Sequence, residues 1–163
     1  MLLLARIAET LAPTQIVGDT QIEIVDLAYD TRAVGPGALF FCVTGSRFDG
    51  HELAERAIEA GAAALVVEHP VASRVPQLVV ANAREAMATA AVEFFGRPTE
   101  ELQVAGVTGT NGKTTTAFLL RAVLAAAGRR PGLVGTVEWE VAGERRPAPF
   151  TTPLGRSWLT RER

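Results

Sequence analysis

An α/β fold in two parts follows from three observations. Short apolar runs alternate along the chain with segments of helical spacing, as α/β units require. An apolar run at 102–107 leads through Thr108-Gly109-Thr110-Asn111-Gly112-Lys113-Thr114-Thr115 into a helical stretch at 116–124, the strand–turn–helix layout of a phosphate-binding loop. Gly96-Arg97-Pro98-Thr99 punctuates the chain between the two patterns, which sets a domain boundary there. The first domain is expected over 1–98 and the second over 99–163.

The elements follow in order. Leu3, Leu4, Ile7 and Leu11 recur at helical spacing and predict a short amphipathic helix. Residues 22–27 and 39–43 read as strands, with Gly35-Pro36-Gly37 as the turn between them. Asp49-Gly50 starts a helix over 52–60, and Gly61 ends it. Residues 63–67 and 78–80 are strands apolar on both faces, as parallel strands in a covered sheet are. Asn82 with Glu85 three residues later makes an N-terminal box for a helix reaching about Phe95. In the second domain, Gly128 ends the loop helix and 131–136 is expected as the next parallel strand. A hairpin follows, 137–141 and 144–146 about Ala142-Gly143. Glu138 and Glu140 alternate with apolar neighbours, an edge-strand pattern with a solvated acidic face.

The loop carries the chemistry. Glycines let backbone N–H groups converge on phosphate oxygens, and the following helix start adds partial positive charge. Lys113 is placed to reach the β- and γ-phosphates, and the Thr114 hydroxyl to ligate Mg²⁺. The general pattern asks for Gly at position 107, where this chain has Val107. A Gly-rich turn that binds nothing is the plain alternative.

That departure carries a resemblance. Gly106-Val107-Thr108-Gly109-Thr110-Asn111-Gly112-Lys113 followed by three threonines resembles the ATP loop of the Mur ligases, which extend the UDP-linked muramyl peptide of the bacterial cell wall. Upstream, Tyr29-Asp30-Thr31-Arg32, then Pro36-Gly37-Ala38-Leu39-Phe40 and Asp49-Gly50-His51, resemble the N-terminal, UDP-substrate-binding α/β domain of the MurE and MurF types. Thr110 in the loop, Gly135-Thr136-Val137 and Thr151-Thr152-Pro153 resemble MurE. Residues 99–163 would then begin the ATP-binding central domain.

The resemblance implies roles. Gly109, Thr110, Asn111, Gly112, Lys113, Thr114 and Thr115 would hold ATP, with Lys113 catalytic and Thr114 on Mg²⁺. Tyr29 and Thr31, and the loop residues Ser46, Arg47 and Phe48, would contact the nucleotide end of UDP-N-acetylmuramoyl-dipeptide. Thr151 and Thr152 would grip the muramyl peptide, and Phe150 stands where some members carry Asn. The implied reaction joins a third residue, meso-diaminopimelate or L-lysine, to the D-glutamate γ-carboxylate through an acyl phosphate. After Pro153 the sequence leaves the resemblance, so the chain is expected to be the N-terminal part of such a ligase and not to complete the reaction alone. Two other readings remain open: a folylpolyglutamate synthase-like ligase, and a stand-alone UDP-sugar or nucleotide-binding module.

Composition narrows the remainder. Of 163 residues 48% are apolar, enough for a core, and net charge is −2. There is no basic stripe and little aromatic content, so nucleic acid is not expected as a partner. No run reaches eighteen uncharged apolar residues, and the N-terminal run is broken by Arg6 and Glu9, so neither a membrane span nor a signal peptide is expected and the chain reads as cytoplasmic. Cys42 is the single cysteine, set in an apolar strand and expected as core. His51 and His69 read as isolated, without catalytic or metal-binding roles.

Overall fold

The computed structural model describes residues 1–45 and 49–148. The first elements are β1 (Leu2–Leu3), α1 (Leu4–Leu11), β2 (Gln15–Val17), β3 (Glu23–Ile24), β4 (Asp26–Ala28) and β5 (Ala38–Phe41). They are followed by α2 (Ala54–Glu59), β6 (Ala62–Val67), β7 (Gln77–Val79) and α3 (Ala83–Phe94). Then come α4 (Lys113–Ala126), β8 (Leu133–Val134), β9 (Glu138–Val141) and β10 (Glu144–Pro147). Among the described residues two compact units are present, 1–102 and 103–148.

The first unit is built on a five-stranded sheet of order β2-β7-β6-β5-β4. Strands β4 to β7 are parallel, and β2 lies antiparallel against β7 at the edge. Every residue of β5 is buried, and so is nearly all of β6. Such strands need cover on both faces. Phe40 and Cys42 cluster with Leu65, Val67 and Val79 against Ala54, Ala57 and Ile58 of α2. The pleat turns Leu39 and Phe41 to the opposite face. There α3 packs on β5 and β6, and α1 packs on α3. Fully burying a side chain such as Phe40 or Leu65 stabilises the fold by about 1.5–3 kcal/mol each.

Several expectations are corrected here. The strand expected over 22–27 is two strands in two sheets. Glu23–Ile24 pairs antiparallel with β1, whereas Asp26–Ala28 joins the main sheet beside β5. The chain turns at Val25, whose N–H donates to the Gly37 carbonyl at 3.0 Å. Leu3, expected on the first helical face, belongs to β1. The helix expected from Glu52 begins as a 3-10 turn over Gly50–Leu53, and α2 proper is Ala54–Glu59. The antiparallel strand β2 was not anticipated. The box at Asn82 is found as expected: its Oδ1 accepts from the N–H groups of Arg84 and Glu85, and its amide donates to Glu85.

In the second unit the apolar run before the loop is not a strand. Residues 103–107 have no regular structure, and Val104 is 77% exposed. A strand needs a neighbour for its ladder, and no described segment of this unit supplies one. Nor is 131–136 a parallel strand. Leu133–Val134 pairs antiparallel with β9 in a three-stranded sheet of order β10-β9-β8. The hairpin does form about Ala142 and Gly143, both with positive φ (54° and 87°), the mirror-image turn that suits strand twist. Among the described residues, no helix is long and apolar enough to cross a membrane.

Two outcomes test this packing. A Cβ on Gly50 would stand 2.5 Å from the Val43 nitrogen and 2.7 Å from its carbonyl oxygen, both backbone and neither able to step aside. Gly50→Ala is therefore expected to destabilise the chain by about 1–3 kcal/mol in urea unfolding; unchanged stability would contradict the close approach. Burial, reinforced by the Asp49 charge, pushes the Cys42 thiol up to about 12. At pH 8 only about one thiol in ten thousand is then ionised. Iodoacetamide should label Cys42 at a measurable rate only after unfolding, as followed by mass spectrometry.

Candidate functional site

The loop of the second unit bends through glycines. Gly109 and Gly112 have φ of 152° and 75°, and Gly112 is the N-cap of α4. The α4 start carries no side-chain cap, so its first N–H groups are left to an outside acceptor. Apart from Gly112 itself, its two chain neighbours and the backbone of α4, no atom lies within 4 Å of where a Cβ on Gly112 would stand. Lys113 folds back over the loop, its ammonium donating to the carbonyls of Gly109 at 2.6 Å and Thr110 at 3.3 Å. Thr114 is half-buried in the first turn, while Thr110, Asn111 and Thr115 are exposed. These features fit a phosphate chain: uncapped N–H donors, a helix N-terminus and a lysine at one opening. They fit Mg²⁺ only as far as one hydroxyl ligand, Thr114. That ion ordinarily completes its shell with water and phosphate oxygens.

Behind the loop helix sits a charge cluster that corrects the edge-strand expectation. β9 is the central strand of its sheet, and Glu140 is 5% exposed rather than solvated. Its carboxylate accepts from Arg121 of α4 and, at 3.1 Å, from Nε of Arg145 on β10. The hydrogen bond from Arg121 is the main reason its pKa lies below the usual carboxylate range, against the opposing effect of burial. This cluster ties the phosphate-loop helix to the hairpin. The alternating Glu138 and Glu140 were visible in the sequence, but not that β8 would pair with β9 or that Arg121 of α4 would meet Glu140.

In the first unit, Tyr29 and Thr31 follow β4 and are half-buried. Burial raises the Tyr29 phenol, helped by the charge of Asp30. Asp30 accepts from the Arg32 N–H and pairs with its guanidinium at 2.6 Å, which holds the Asp30 carboxyl below its usual range. Arg32 is thus the partner of Asp30, on an exposed turn. Ser46, Arg47, Phe48, Thr151 and Thr152 lie outside the described residues.

His51 and His69, read from sequence as isolated, are stacked with ring centroids 4.2 Å apart. His51 is 8% exposed and bridges two elements. Its Nε2 accepts from the Glu68 N–H at 2.9 Å, so the ring proton sits on Nδ1, 2.6 Å from Asp49 Oδ1. Asp49 is held below its usual range chiefly by the His51 backbone N–H and then by the His51 ring. The Asp49-Gly50-His51 motif marked the place, but only the fold shows Glu68 arriving from the end of β6.

A parallel α/β unit followed by a unit that opens on a Gly-rich loop leading into a helix with Lys113 at its start is the class these features define. The comparisons with known proteins narrow it. Residues 23–95 match the model of the Mur ligase family, catalytic domain, and residues 107–154 match that of the Mur ligase middle domain. The chain belongs to the Mur ligase family. It is 50% identical over 131 residues to UDP-N-acetylmuramoyl-L-alanyl-D-glutamate--2,6-diaminopimelate ligase of Geobacillus thermodenitrificans, covering 80% of this chain and 27% of that protein. The ligase of the same name from Halalkalibacterium halodurans is 39% identical over 153 residues, covering 94% and 32%. Among solved structures, MurF from Acinetobacter baumannii aligns with a TM-score of 0.64 at 27% identity, over 76% of this chain and 27% of that one. A UDP-N-acetylmuramoyl-L-alanyl-D-glutamate--2,6-diaminopimelate ligase aligns with a TM-score of 0.70 over 93% of this chain and 31% of that one; at 22% identity this shows the fold. The chain thus spans about a third or less of the length of these relatives.

The charge cluster carries a pH test. Because the Glu140 pKa is depressed on folding, its contribution is complete above the ordinary value of 4.5 and is lost as pH falls through the lower folded value. Thermal melts of the wild type are expected to lose stability across that acidic window. In Glu140→Gln the same limb should be shallower, with lower stability at pH 7. Superimposable acid limbs would show that the pair contributes nothing.

Proposed function

We propose that this chain holds the UDP-muramyl substrate and ATP in a MurE-type ligase of peptidoglycan precursor synthesis. The observation that carries this reading is the bare start of α4 behind its loop, with Lys113 lying over the loop carbonyls. The names of the similar ligases supply the substrate class, a UDP-N-acetylmuramoyl dipeptide joined to 2,6-diaminopimelate. That favours meso-diaminopimelate over L-lysine as the incoming amino acid.

In this reading the loop N–H groups of 109–115 and the α4 terminus cradle the ATP phosphates. Lys113 leaves the Gly109 and Thr110 carbonyls and follows the γ-phosphoryl group, offsetting its charge as it moves. Thr114 would hold Mg²⁺ through its hydroxyl, and the ion, when bound, would neutralise phosphate charge. Phosphoryl transfer to the D-glutamate γ-carboxylate activates it, and the amine of the incoming residue then displaces phosphate to form the amide. Tyr29, Thr31, Ser46, Arg47 and Phe48 take the nucleotide end of the muramyl substrate, and Thr151 and Thr152 its peptide. The protein contributes position and charge more than covalent chemistry. The reaction is placed in the cytoplasm, where ATP is supplied.

Titration calorimetry on the purified chain tests the reading. ATP with Mg²⁺ and UDP-N-acetylmuramoyl-dipeptide should each bind. Lys113→Ala should weaken ATP at least tenfold, about 1.4 kcal/mol, and leave the muramyl compound within twofold. Equal ATP affinity in both proteins, or binding of a folate in place of the muramyl compound, would overturn it.

A further inference from the structure

The covered side of α4 is narrow. Thr114, Ala117, Phe118 and Arg121 are half-buried, and every other residue of the helix is exposed. Their spacing puts these four on one stripe, and α4 packs on β8. Thr114 and Arg121 stand at the two ends of that stripe. Two helical turns separate them, so they point within about 20° of one another. At its far end the stripe is polar. The Arg121 guanidinium donates to the buried Glu140 carboxylate on the central strand β9. The other carboxylate oxygen is taken by Nε of Arg145 on β10 at 3.1 Å. The buried Nε of Arg121 has no hydrogen-bond partner among the described residues, so this guanidinium relies on Glu140 for its anchorage. Lys113, by contrast, is held by the carbonyls of its own loop.

We propose that Arg121 is a positioning residue for the metal side of the nucleotide site: clasped by Glu140, it sets the roll of α4 about its axis and so the direction of the Thr114 hydroxyl, without touching nucleotide or ion. This rests on the reading that the loop holds ATP and that Thr114 meets Mg²⁺. The physical argument is one of direction. Apolar contact from Ala117 and Phe118 is non-directional and tolerates a helix that rolls. A charge-assisted hydrogen bond from a planar guanidinium does not. The bare N–H groups at the start of α4 point along the axis, so roll leaves their aim unchanged. The Thr114 hydroxyl lies off the axis, so roll swings it. Losing the clasp therefore separates two contributions to nucleotide binding: the cradle and Lys113 are kept, and the hydroxyl offered to the cation is misplaced.

The test is calorimetry of ATP binding, once in excess Mg²⁺ and once in EDTA, on the wild-type chain, Arg121→Met, Arg121→Lys, Thr114→Ala and the double variant Arg121→Met/Thr114→Ala. In Arg121→Met the gain in affinity that Mg²⁺ brings should shrink about tenfold, while affinity in EDTA stays within about twofold. Arg121→Lys keeps the charge but not the fork, and should restore part of the gain. In the Thr114→Ala background, Arg121→Met should remove nothing further, because both changes act through one hydroxyl. An undiminished Mg²⁺ gain in Arg121→Met would overturn the proposal, and so would an additive loss in the double variant. Equal weakening with and without Mg²⁺ would show a general defect of the unit and overturn it as well. A wild type that binds ATP with no Mg²⁺ gain would overturn it while leaving the loop as a nucleotide site. If the wild type binds no ATP, the proposed function fails instead. Urea unfolding of Arg121→Met, Glu140→Gln and their double variant then decides the clasp itself: a second change as costly as the first would show that the two residues do not act together.

Discussion

Burial of β5 on both faces is the constraint from which the first unit follows. Ala38, Leu39, Phe40 and Phe41 all lose their contact with water. One helix cannot cover two faces, so α2 takes one and the α1–α3 pair the other. Parallel neighbours β4 and β6 then require crossovers, and the loops that leave the carboxyl ends of the strands collect on one edge. Tyr29 and Thr31 follow β4 at that edge. The placement of the candidate substrate groups is therefore a by-product of how the sheet is covered.

The second unit rests on a different balance. None of the residues of α4 is buried among the described residues, and Leu119 and Val123 are well exposed. Hydrogen bonds tie the helix to its hairpin, Arg121 to Glu140 and Glu140 on to Arg145. A pair of this kind fixes geometry more than it adds stability, since withdrawing the carboxylate from water offsets much of the attraction. The loop itself is set by local chemistry, the positive φ of Gly112 and the lysine closing on its own carbonyls.

Sequence patterns revealed what local rules govern. The Asn82 cap, the strand runs at 63–67 and 78–80, the hairpin about Ala142-Gly143 and the Gly-rich turn into α4 all carry signals within a few residues. What stayed hidden depends on partners distant in the chain. Val25 divides one apolar run between two sheets because β1 and Gly37 claim its two sides. The run before the loop is no strand because a strand is a property of a pair, and pattern alone does not supply the neighbour. His51 and His69 looked solitary because Glu68 meets the imidazole only once β6 is laid down beside β5.

The antiparallel strand β2 has a consequence beyond its three residues. It is the one strand of the main sheet that runs against the others, and it occupies the outer side of β7. There the Thr14 N–H and hydroxyl both reach the Val79 carbonyl. Without it, β7 would offer an open row of amides and carbonyls, almost wholly apolar on both faces, to any passing extended chain. This short amino-terminal ribbon thus acts as a selvage. It takes up the pairing groups of β7 and leaves the sheet a margin only three residues long on that side.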